Sequence, residues 1–301
     1  RAGNIRRILN TMEKSRRVLI LGSKGMLGQE LFQVFSAKSD SYSVSGWDRE
    51  EIDLTDSILA TKRIREVAPS IIVNAVAYNA VDLCETNEEE YRQARSLNVR
   101  IPESLVRISE EIGATLVHYS TDYVFDGTNQ EGYAEDAEPH PLSRYGMTKR
   151  EGELAVLAVP GRHFVIRLSK LFGKPALSIV GKQSFFEKIL SVAEGKTEVS
   201  VVDGERSCFT YAPDLARATR ELMEDRSTPG IYHLANSGVA TWYEAAQELF
   251  RLARPEVIVH PVPADAFLRP AERPAYSALL NTKRPPLRDY REALREFISE
   301  R

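Results

Sequence analysis

Residues 18–31 read VLILGSKGMLGQEL, and this pattern is the strongest fold signal in the chain. Its first four residues are apolar, which predicts a buried strand, and the segment from Met26 to Phe35 has the apolar spacing of a helix. The glycines between them follow the spacing G-x-x-G-x-x-G, at Gly22, Gly25 and Gly28. Such glycines permit a tight turn, the approach of a pyrophosphate to the backbone, and close packing of helix on strand. The stretch therefore predicts the first strand–loop–helix unit of a dinucleotide-binding sheet.

An acidic residue stands where the second strand of such a sheet would end. Asp48 follows the predicted strand Tyr42–Trp47 and comes 20 residues after Gly28, where a carboxylate meets the hydroxyls of the adenosine ribose. A carboxylate there favours the free 2′-hydroxyl of NADH, because it repels the 2′-phosphate of NADPH. Lys24 and Arg49 flank the same point and could neutralise that phosphate. The sequence therefore leaves both NADPH and NADH open as cofactors.

Beyond this unit, short apolar runs alternate with helical stretches, which is typical of a parallel α/β sheet. Further strands are predicted at Ser70–Ala77, Thr115–Ser120 and His163–Leu168. Helices are predicted at Thr55–Val67, with Thr55 as its cap, at Glu88–Ile112, with an interruption near Pro102, and at Ser143–Leu157. The expected fold is α/β: a doubly wound parallel sheet of Rossmann type, with a smaller C-terminal α/β substrate domain.

The second half of the chain is less regular, and the boundary between the halves is soft. Helices are predicted at Ser184–Ala193, Asp214–Met223, Trp242–Ala253 and Tyr290–Ile298, and a short strand at Ile231–Leu234. We expect residues 17–170 to form the dinucleotide-binding domain. Residues 171–301 are expected to form mainly the substrate-binding domain, with some elements returning to the first. The Arg-rich residues 1–16 are interpreted as a basic leader, or as sequence placed upstream of the protein.

The composition excludes several classes of protein. The chain has 301 residues, 43% hydrophobic and 28% charged, a balance typical of a globular protein and not of disorder. No apolar run approaches the ~20 residues of a membrane span, and a net charge of −3 gives no reason to expect a nucleic-acid partner. Two cysteines predict no disulfide framework, which favours a reducing, cytoplasmic setting. The five histidines are scattered without metal-ligand spacing, so no metal is expected.

A second chemical signal is the run YGMTK, in which Tyr145 and Lys149 occupy positions i and i+4 of a predicted helix. Residues at this spacing share a helix face, so the ammonium can lower the pKa of the phenol from its ordinary value of about 10. Such a tyrosine can give a proton to a carbonyl oxygen while hydride reaches the carbonyl carbon. Thr121 ends the predicted fourth strand, where it can hydrogen-bond the same carbonyl. Each signal alone has a structural alternative, a glycine turn or an exposed helix pair; together they predict a carbonyl reductase.

Taken in order along the chain, these motifs resemble the extended short-chain dehydrogenase/reductase superfamily, and within it the dTDP-4-dehydrorhamnose reductase family. The resemblance covers roughly residues 16–300. It is carried by GSKGMLGQEL (22–31), IIVNAVAYNAVDLCE (71–85), HYSTDYVFDG (118–127), PLSRYGMTKREGE (141–153), IRLSKLFG (166–173), GIYHLANSG (230–238) and RPAYSALLNT (273–282). It implies reduction of a 4-keto-6-deoxy sugar linked to a nucleoside diphosphate, with NADPH or NADH, in dTDP-rhamnose biosynthesis.

The resemblance also implies the residues of the site. The catalytic set would be Thr121, Tyr145 and Lys149. The cofactor would be bound by Gly22, Lys24, Gly25, Met26, Leu27, Gly28, Asp48, Arg49, Asp53, Leu54, Ala75, Val76 and Ala77, together with Tyr145 and Lys149. Substrate contacts would come from Thr121, Asp122, Lys170, Arg206 and Arg273, with Lys283 as a further cation. A nucleotide sugar is the expected partner, and a homodimer is one expectation for the assembly.

Two positions in these motifs discriminate between related activities. The resemblance implies that nucleotide-sugar dehydratases have Thr-Asp-Glu at the end of the fourth strand, where the acids move protons for the elimination of water. Here the third residue is Tyr123, so the base for elimination is missing and reduction is favoured. The family's Arg-Thr-Ser-Trp segment reads Arg-Leu-Ser-Lys here, and Lys170 replaces an apolar stacking surface with a charge. A reductase of a different keto-sugar nucleotide is therefore one alternative. Another is a non-catalytic NAD(P)-binding regulator, because the regulatory β subunit of methionine adenosyltransferase is similar and retains the tyrosine–lysine pair.

Overall fold

Parallel strands form the centre of the molecule. The computed structural model describes residues 15–178, 181–225 and 227–301. In chain order its strands are β1 (Arg16–Leu21), β2 (Tyr42–Trp47), β3 (Ile71–Asn74), β4 (Thr115–Thr121), β5 (His163–Leu168), β6 (Leu171–Phe172), β7 (Glu198–Val202), β8 (Ser207–Cys208), β9 (Thr210–Tyr211), β10 (Gly230–His233), β11 (Asn236–Ser237), β12 (Val239–Ala240), β13 (Ile258–Val262) and β14 (Leu287–Asp289). Six of them form one parallel sheet in the order β2-β1-β3-β4-β5-β10, which confirms the predicted α/β sheet of Rossmann type.

Helices cover both faces of this sheet and build most of the second half. They are α1 (Met26–Ser36), α2 (Ser57–Val67), α3 (Val81–Thr86), α4 (Glu88–Arg95), α5 (Ile101–Ile112), α6 (Arg144–Leu157), α7 (Phe185–Val192), α8 (Ala212–Glu224), α9 (Trp242–Ala253) and α10 (Tyr290–Ser299). A π turn at Ser96–Arg100 joins α4 to α5, and short 3₁₀ turns lie at Asp122–Val124 and Ala264–Ala266.

The strand order reverses beside β1. The chain passes from β1 to β2 on one side of it and then returns to β3 on the other side. In open parallel sheets, ligands bind outside the carboxyl ends of the strands at such a reversal. The loops that begin at Gly22 after β1 and at Ala75 after β3 are therefore the expected walls of a binding site.

Side chains of the central strands alternate between two apolar layers. Val18 of β1 packs in the layer that α1 and α8 cover, and its neighbour Leu19 packs in the layer that α2 and α5 cover. A strand buried on both faces is usually apolar along most of its length, which explains the apolar run of residues 71–73 in β3.

The second half of the chain has an apolar core of its own, where α7, α9 and α10 pack against β7 and β13. Two elements of this half nevertheless belong to the first sheet: β10 pairs with β5, and α8 packs on α1. The division into domains at residue 170 stays a prediction. Residues 1–14 of the expected leader lie outside the described residues.

The predicted cap of α2 was wrong. The carboxylate of Asp56 accepts a hydrogen bond from the Leu59 backbone N–H at 3.0 Å and so caps the helix. Thr55 instead donates its hydroxyl to Asp53 at 2.7 Å. A side chain one residue nearer the helix reaches its free N–H groups better.

The end of the third strand and the interruption of the long helical region can also be compared with the predictions. The third strand ends at Asn74 and not at Ala77, and the side-chain oxygen of Asn74 accepts a hydrogen bond from the Val76 backbone N–H at 3.2 Å. The helical region predicted over 88–112 does not run unbroken, and its predicted interruption near Pro102 is confirmed by the π turn at Ser96–Arg100. Pro102 itself lies in the first turn of α5, where its missing N–H is not required.

The described ranges contain no helix that is long and apolar enough to cross a membrane. No group of three or more His, Cys, Asp and Glu side chains in those ranges could hold a metal ion. Cys84 and Cys208 are both buried, and burial raises the pKa of each thiol to about 11. Neither thiol is therefore a reactive thiolate near neutral pH.

Candidate active site

A cavity of about 940 Å³ lies at the carboxyl ends of the strands, where the strand order reverses. Its walls come from both halves of the chain. The predicted site residues that line it are Gly22, Gly25, Met26, Leu27, Gly28, Asp48, Arg49, Ala75, Val76, Ala77, Thr121, Asp122, Tyr145, Lys149, Lys170 and Arg273. The cavity therefore brings together most of the residues that the sequence singled out.

The glycine loop leaves no room for side chains. Gly22 has φ +79°, and a Cβ atom on Gly28 would lie 1.9 Å from the carbonyl oxygen of Gly22. The helix α1 begins directly after Gly25, without a side-chain cap and without an acidic residue in its first turn. Its free N–H groups and its dipole therefore suit a phosphate, which is the group that a dinucleotide cofactor would present there.

The end of the cavity beside Asp48 is more acidic than expected. Asp48 accepts hydrogen bonds from the backbone N–H groups of Lys24, at 3.1 Å, and of Arg49, at 2.8 Å. The ammonium of Lys24 turns away to Glu50 and Glu51, at 3.0 Å from each, and these hydrogen bonds raise the pKa of Lys24. Among the predicted cations at this end, Arg49 lines the cavity and Lys24 does not.

Two further residues expected at the cofactor also lie outside the cavity lining. The carboxylate of Asp53 binds the hydroxyl of Thr55, and Leu54 packs against the apolar layer beneath α2. Both positions stabilise the loop after β2, and their part in cofactor binding stays a prediction.

Thr121, Tyr145 and Lys149 meet on one wall of the cavity. Thr121 is the last residue of β4, and Tyr145 lies in the first turn of α6, which Ser143 caps through a hydrogen bond from the Gly146 N–H. The ammonium of Lys149, one turn further on, donates to the backbone carbonyl of Tyr119 at 2.6 Å.

The charge states on this wall differ from the simple expectation. Burial raises the pKa of Tyr145 well above its ordinary range, and a hydrogen bond with Thr121 offsets this in part. Burial lowers the pKa of Lys149 to about 8. Desolvation of the phenol therefore dominates, and the predicted net lowering of the pKa of Tyr145 was wrong. A phenol that keeps its proton is suited to act as a proton donor.

Close backbone contacts position α6 against the end of β4. A Cβ atom on Gly146 would lie 2.4 Å from the carbonyl oxygen of Tyr123, and one on Gly152 would lie 2.1 Å from that of Asn98. Asn98 belongs to the π turn, and its side chain binds the backbone of Tyr78 at 2.9 and 3.0 Å. The π turn therefore links α6 to the loop after β3, a known use of such turns near functional sites.

A buried ion pair holds the other end of α6 to the sheet. Glu153 accepts two hydrogen bonds of 2.7 Å from the guanidinium of Arg167 on β5, and both side chains are fully buried. Burial raises the pKa of Glu153, but hydrogen bonds and the charge of Arg167 more than offset this, so the net pKa is lowered. Glu153 lies one turn beyond Lys149 and thus helps to fix the helix that carries it.

The predicted substrate contacts have different surroundings. Asp122 is buried and accepts hydrogen bonds from Ser277, at 2.6 Å, and Ser207, at 3.2 Å, so its carboxylate joins segments of the second half to the end of β4. Arg273 lines the cavity and pairs with Asp82 at 2.7 Å.

The other two predicted cations do not line the cavity. Arg206 pairs with Glu244 at 2.6 Å, and Lys283 donates to the carbonyl of Ile231 at 3.0 Å. These partners hold both side chains away from the cavity. The structure therefore does not support the prediction that they contact the substrate diphosphate.

Several residues of the cavity wall lie outside the motifs that predicted the site, including Phe185, Lys182, Trp242 and Arg269. They come from helices and loops of the second half, far along the chain from the glycine loop. Trp242 had one local signal, because it directly follows Thr241, which caps α9 in a capping box with Glu244. Nothing in that signal indicates which cavity the indole faces.

The parallel sheet, the glycine loop and the cavity at the strand ends are those of the extended short-chain dehydrogenase/reductase class. Within that class, residues 16–301 match the family described as the RmlD substrate binding domain, and the chain belongs to this family.

Several relatives share most of their length with this chain. A probable dTDP-4,6-dihydroxy-2-methyloxan-3-one 4-ketoreductase of Streptomyces antibioticus is 38% identical, over 94% of this chain and 95% of its own. The dTDP-4-dehydrorhamnose reductase of Streptomyces griseus is 34% identical, over 93% and 92%. A crystal structure of dTDP-4-dehydrorhamnose reductase from Bacillus anthracis in complex with NADP is 31% identical, with a TM-score of 0.87 over 95% of this chain and 100% of that one.

Proposed function

We propose that this chain reduces the 4-keto group of a dTDP-linked 6-deoxy sugar with NADPH or NADH. The observation that carries the proposal is the meeting of Thr121, Tyr145 and Lys149 with the glycine loop on one cavity. Membership of the RmlD family and the relatives named as reductases of such sugars support it.

Each residue of the set has a role that follows from its surroundings. A bound nicotinamide would supply the hydride. Tyr145, whose buried phenol keeps its proton, would donate that proton to the carbonyl oxygen, and Thr121 would hydrogen-bond the same oxygen and orient it. Lys149 would bind the ribose hydroxyls beside the nicotinamide and, as an ammonium, favour the tyrosinate formed by proton transfer.

Replacement of Tyr145 by Phe tests this assignment. We expect kcat to fall by about 10²- to 10⁴-fold, the range that general acid–base groups contribute, while cofactor affinity falls far less. Turnover is measured as loss of reduced-cofactor absorbance with dTDP-4-dehydrorhamnose, and cofactor affinity as the change in NADPH fluorescence. Tyr42→Phe, a change of the same kind on β2, serves as the control. Equal activity of the Tyr145→Phe and Tyr42→Phe variants would contradict the assignment.

A reductase of a different dTDP-linked keto sugar is a second candidate. It is supported by Lys170 at a position where the family resemblance implies tryptophan, and by the Streptomyces antibioticus relative, whose name gives a different sugar. Comparison of kcat/KM for the two keto-sugar nucleotides decides between them.

The proposal extends to the setting of the protein. A cytoplasmic location agrees with two buried thiols, and NAD(P)H and sugar nucleotides are themselves cytoplasmic metabolites. A homodimer is supported by exposed apolar residues along α6, namely Met147, Leu154 and Leu157. The mass measured by light scattering during gel filtration distinguishes the dimer from the monomer.

A further inference from the structure

Lys170 has a strained backbone conformation. Its φ is +38°, and in the described part of the chain one other residue besides glycines has a positive φ, Ala68, which ends helix α2. The left-handed region costs free energy for any residue with a Cβ atom, because that atom approaches the following carbonyl oxygen. Strain of this kind persists where the surrounding structure imposes it, often at functional sites.

The ammonium of Lys170 is held in a cage of rings and carbonyls. Its nitrogen lies 4.3 Å from the ring centre of Trp242 and 4.9 Å from that of Phe209. It also donates to the backbone carbonyls of Glu205, at 3.0 Å, and Ala240, at 3.5 Å. Cation–π attraction is strong where the cation has lost water, and burial lowers the pKa of this ammonium to about 8.

The cage fixes the indole of Trp242 as well. The indole N–H donates to the carboxylate of Glu205 at 3.0 Å, and the ring packs against Phe209 at 5.4 Å and Phe185 at 4.5 Å. Glu205 is itself buried and paired with Arg269. The hydrogen bond to Glu205, the contacts with two phenylalanine rings and the ammonium of Lys170 therefore fix the orientation of Trp242.

The cage lies beside the proposed catalytic residues. Leu168 of β5 is the sheet partner of Thr121, and Lys170 follows two residues later. Lys170 and Trp242 both line the cavity that Thr121 and Tyr145 line. A sugar whose keto carbon is held at Thr121 and Tyr145 must present the rest of its ring to the neighbouring walls.

We propose that Lys170 and Trp242 form the wall that recognises the sugar ring of the substrate, with Lys170 as the positioning residue that holds the indole. The inference rests on the proposed function, because it takes the substrate to be a keto-sugar nucleotide. The apolar C–H face and methyl group of a 6-deoxy sugar suit an indole surface.

Steady-state kinetics with dTDP-4-dehydrorhamnose and NADPH test the proposal through the split between KM and kcat. For Trp242→Leu we expect the sugar KM to rise about tenfold through lost apolar contact, with kcat and the NADPH Kd within about twofold of the unaltered chain. Lys170→Met keeps the alkyl stem and is expected to raise the same KM in the same way. Trp242→Phe retains an aromatic surface, so we expect its sugar KM to stay close to that of the unaltered chain.

The control is Lys174→Met, the same change at a lysine that pairs with Glu300 outside the cavity. We expect this variant to match the unaltered chain in every constant. A sugar KM that stays unchanged in Trp242→Leu and Lys170→Met overturns the proposal. A parallel loss of NADPH affinity also overturns it, because it indicates a general structural role.

Fluorescence separates this inference from the proposed reaction. The chain has two tryptophans, so Trp47→Phe leaves Trp242 as the reporter. We expect dTDP-rhamnose, added without cofactor, to change this emission saturably, and dTDP alone to change it less. A saturable change without turnover of either candidate keto-sugar nucleotide supports the wall and contradicts the reductase. Turnover without any change in emission contradicts the wall and supports the reductase.

Discussion

The ammonium of Lys24 lies 3.0 Å from a carboxylate oxygen of Glu50 and 3.0 Å from one of Glu51. From the sequence, Lys24 was one of two cations that could neutralise a 2′-phosphate. This pairing neutralises the ammonium, while Asp48 and the two glutamates add negative charge at the same end of the cavity. Arg49 is the remaining predicted cation on this part of the cavity lining. For a single residue, the side chains around it therefore determine whether its charge can bind a ligand.

This arrangement predicts how cofactor preference responds to a double substitution. Glu50→Gln with Glu51→Gln removes two carboxylates and releases Lys24. The ratio of NADPH affinity to NADH affinity should therefore rise several-fold, because less negative charge repels the 2′-phosphate and one more cation can approach it. Fluorescence titration with each reduced cofactor measures the ratio. The gain should shrink at high salt, because exposed charges are screened.

Glu66→Gln on α2, which removes an exposed glutamate paired with Arg63, provides the control for that measurement. It should leave the ratio unchanged. If the double substitution also leaves the ratio unchanged at low salt, the two glutamates have no part in cofactor choice.

At the scale of elements, helix α6 carries most of the candidate chemistry. Tyr145, Lys149 and Glu153 follow one another at intervals of four residues and are all buried. Its two glycines allow the helix to approach the neighbouring backbone closely, and the pair of Glu153 with Arg167 holds it to β5. The two glycines and Glu153 therefore hold the helix in place, and this positions Tyr145 and Lys149.

The buried pair predicts a large change in stability. Glu153→Gln leaves the guanidinium of Arg167 buried without its counter-charge, which should lower the free energy of unfolding by about 3–5 kcal/mol. Urea denaturation followed by circular dichroism measures this. Glu103→Gln, which breaks an exposed pair with Arg107 on α5, should cost less than about 1 kcal/mol. Similar losses in the two variants would show that the buried pair contributes no more than an exposed one.

The pH dependence of that difference has a defined sign. The pKa of Glu153 is lowered in the folded protein below its ordinary value of 4.5. Its contribution is therefore present above the ordinary carboxyl range and is lost as the pH falls through the lowered folded-state pKa. The gap in stability between the unaltered chain and Glu153→Gln should narrow in acid.

At the scale of the whole molecule, the first sheet is completed by elements from beyond residue 170. Strand β10 adds the edge beside β5, and α8 covers the apolar layer that contains Val18. Leu215 and Leu222 of α8 are fully buried in this layer. A chain that ends near residue 170 would leave that surface in water.

A fragment of residues 15–170 is therefore expected to lack cooperative unfolding. The lost contacts include α8 on α1 and β10 on β5, and exposed apolar layers of this size bind hydrophobic dyes and aggregate. Urea denaturation and dye binding, compared with the full chain, measure the effect. A sharp unfolding transition of the fragment, together with retained NADPH binding, would show instead that residues 15–170 form an independent domain.

Features that depend on local pattern could be predicted from the amino-acid sequence. Alternating apolar runs specified the parallel sheet, the glycine spacing specified the loop after β1, and the spacing of Tyr145 and Lys149 placed both on one face of α6. These features are readable because a strand, a turn or a helix face is set by residues within a few positions of one another.

Contacts between residues that are far apart in the chain could not be predicted and are known from the three-dimensional fold. It turned Lys24 toward two glutamates, paired Arg206 with Glu244 away from the cavity, and brought Trp242 over Lys170 from 72 positions along the chain. Burial also reversed the expected shift in the pKa of Tyr145. The physical reason is that desolvation, ion pairing and ring contact depend on three-dimensional distance, which local sequence pattern does not encode.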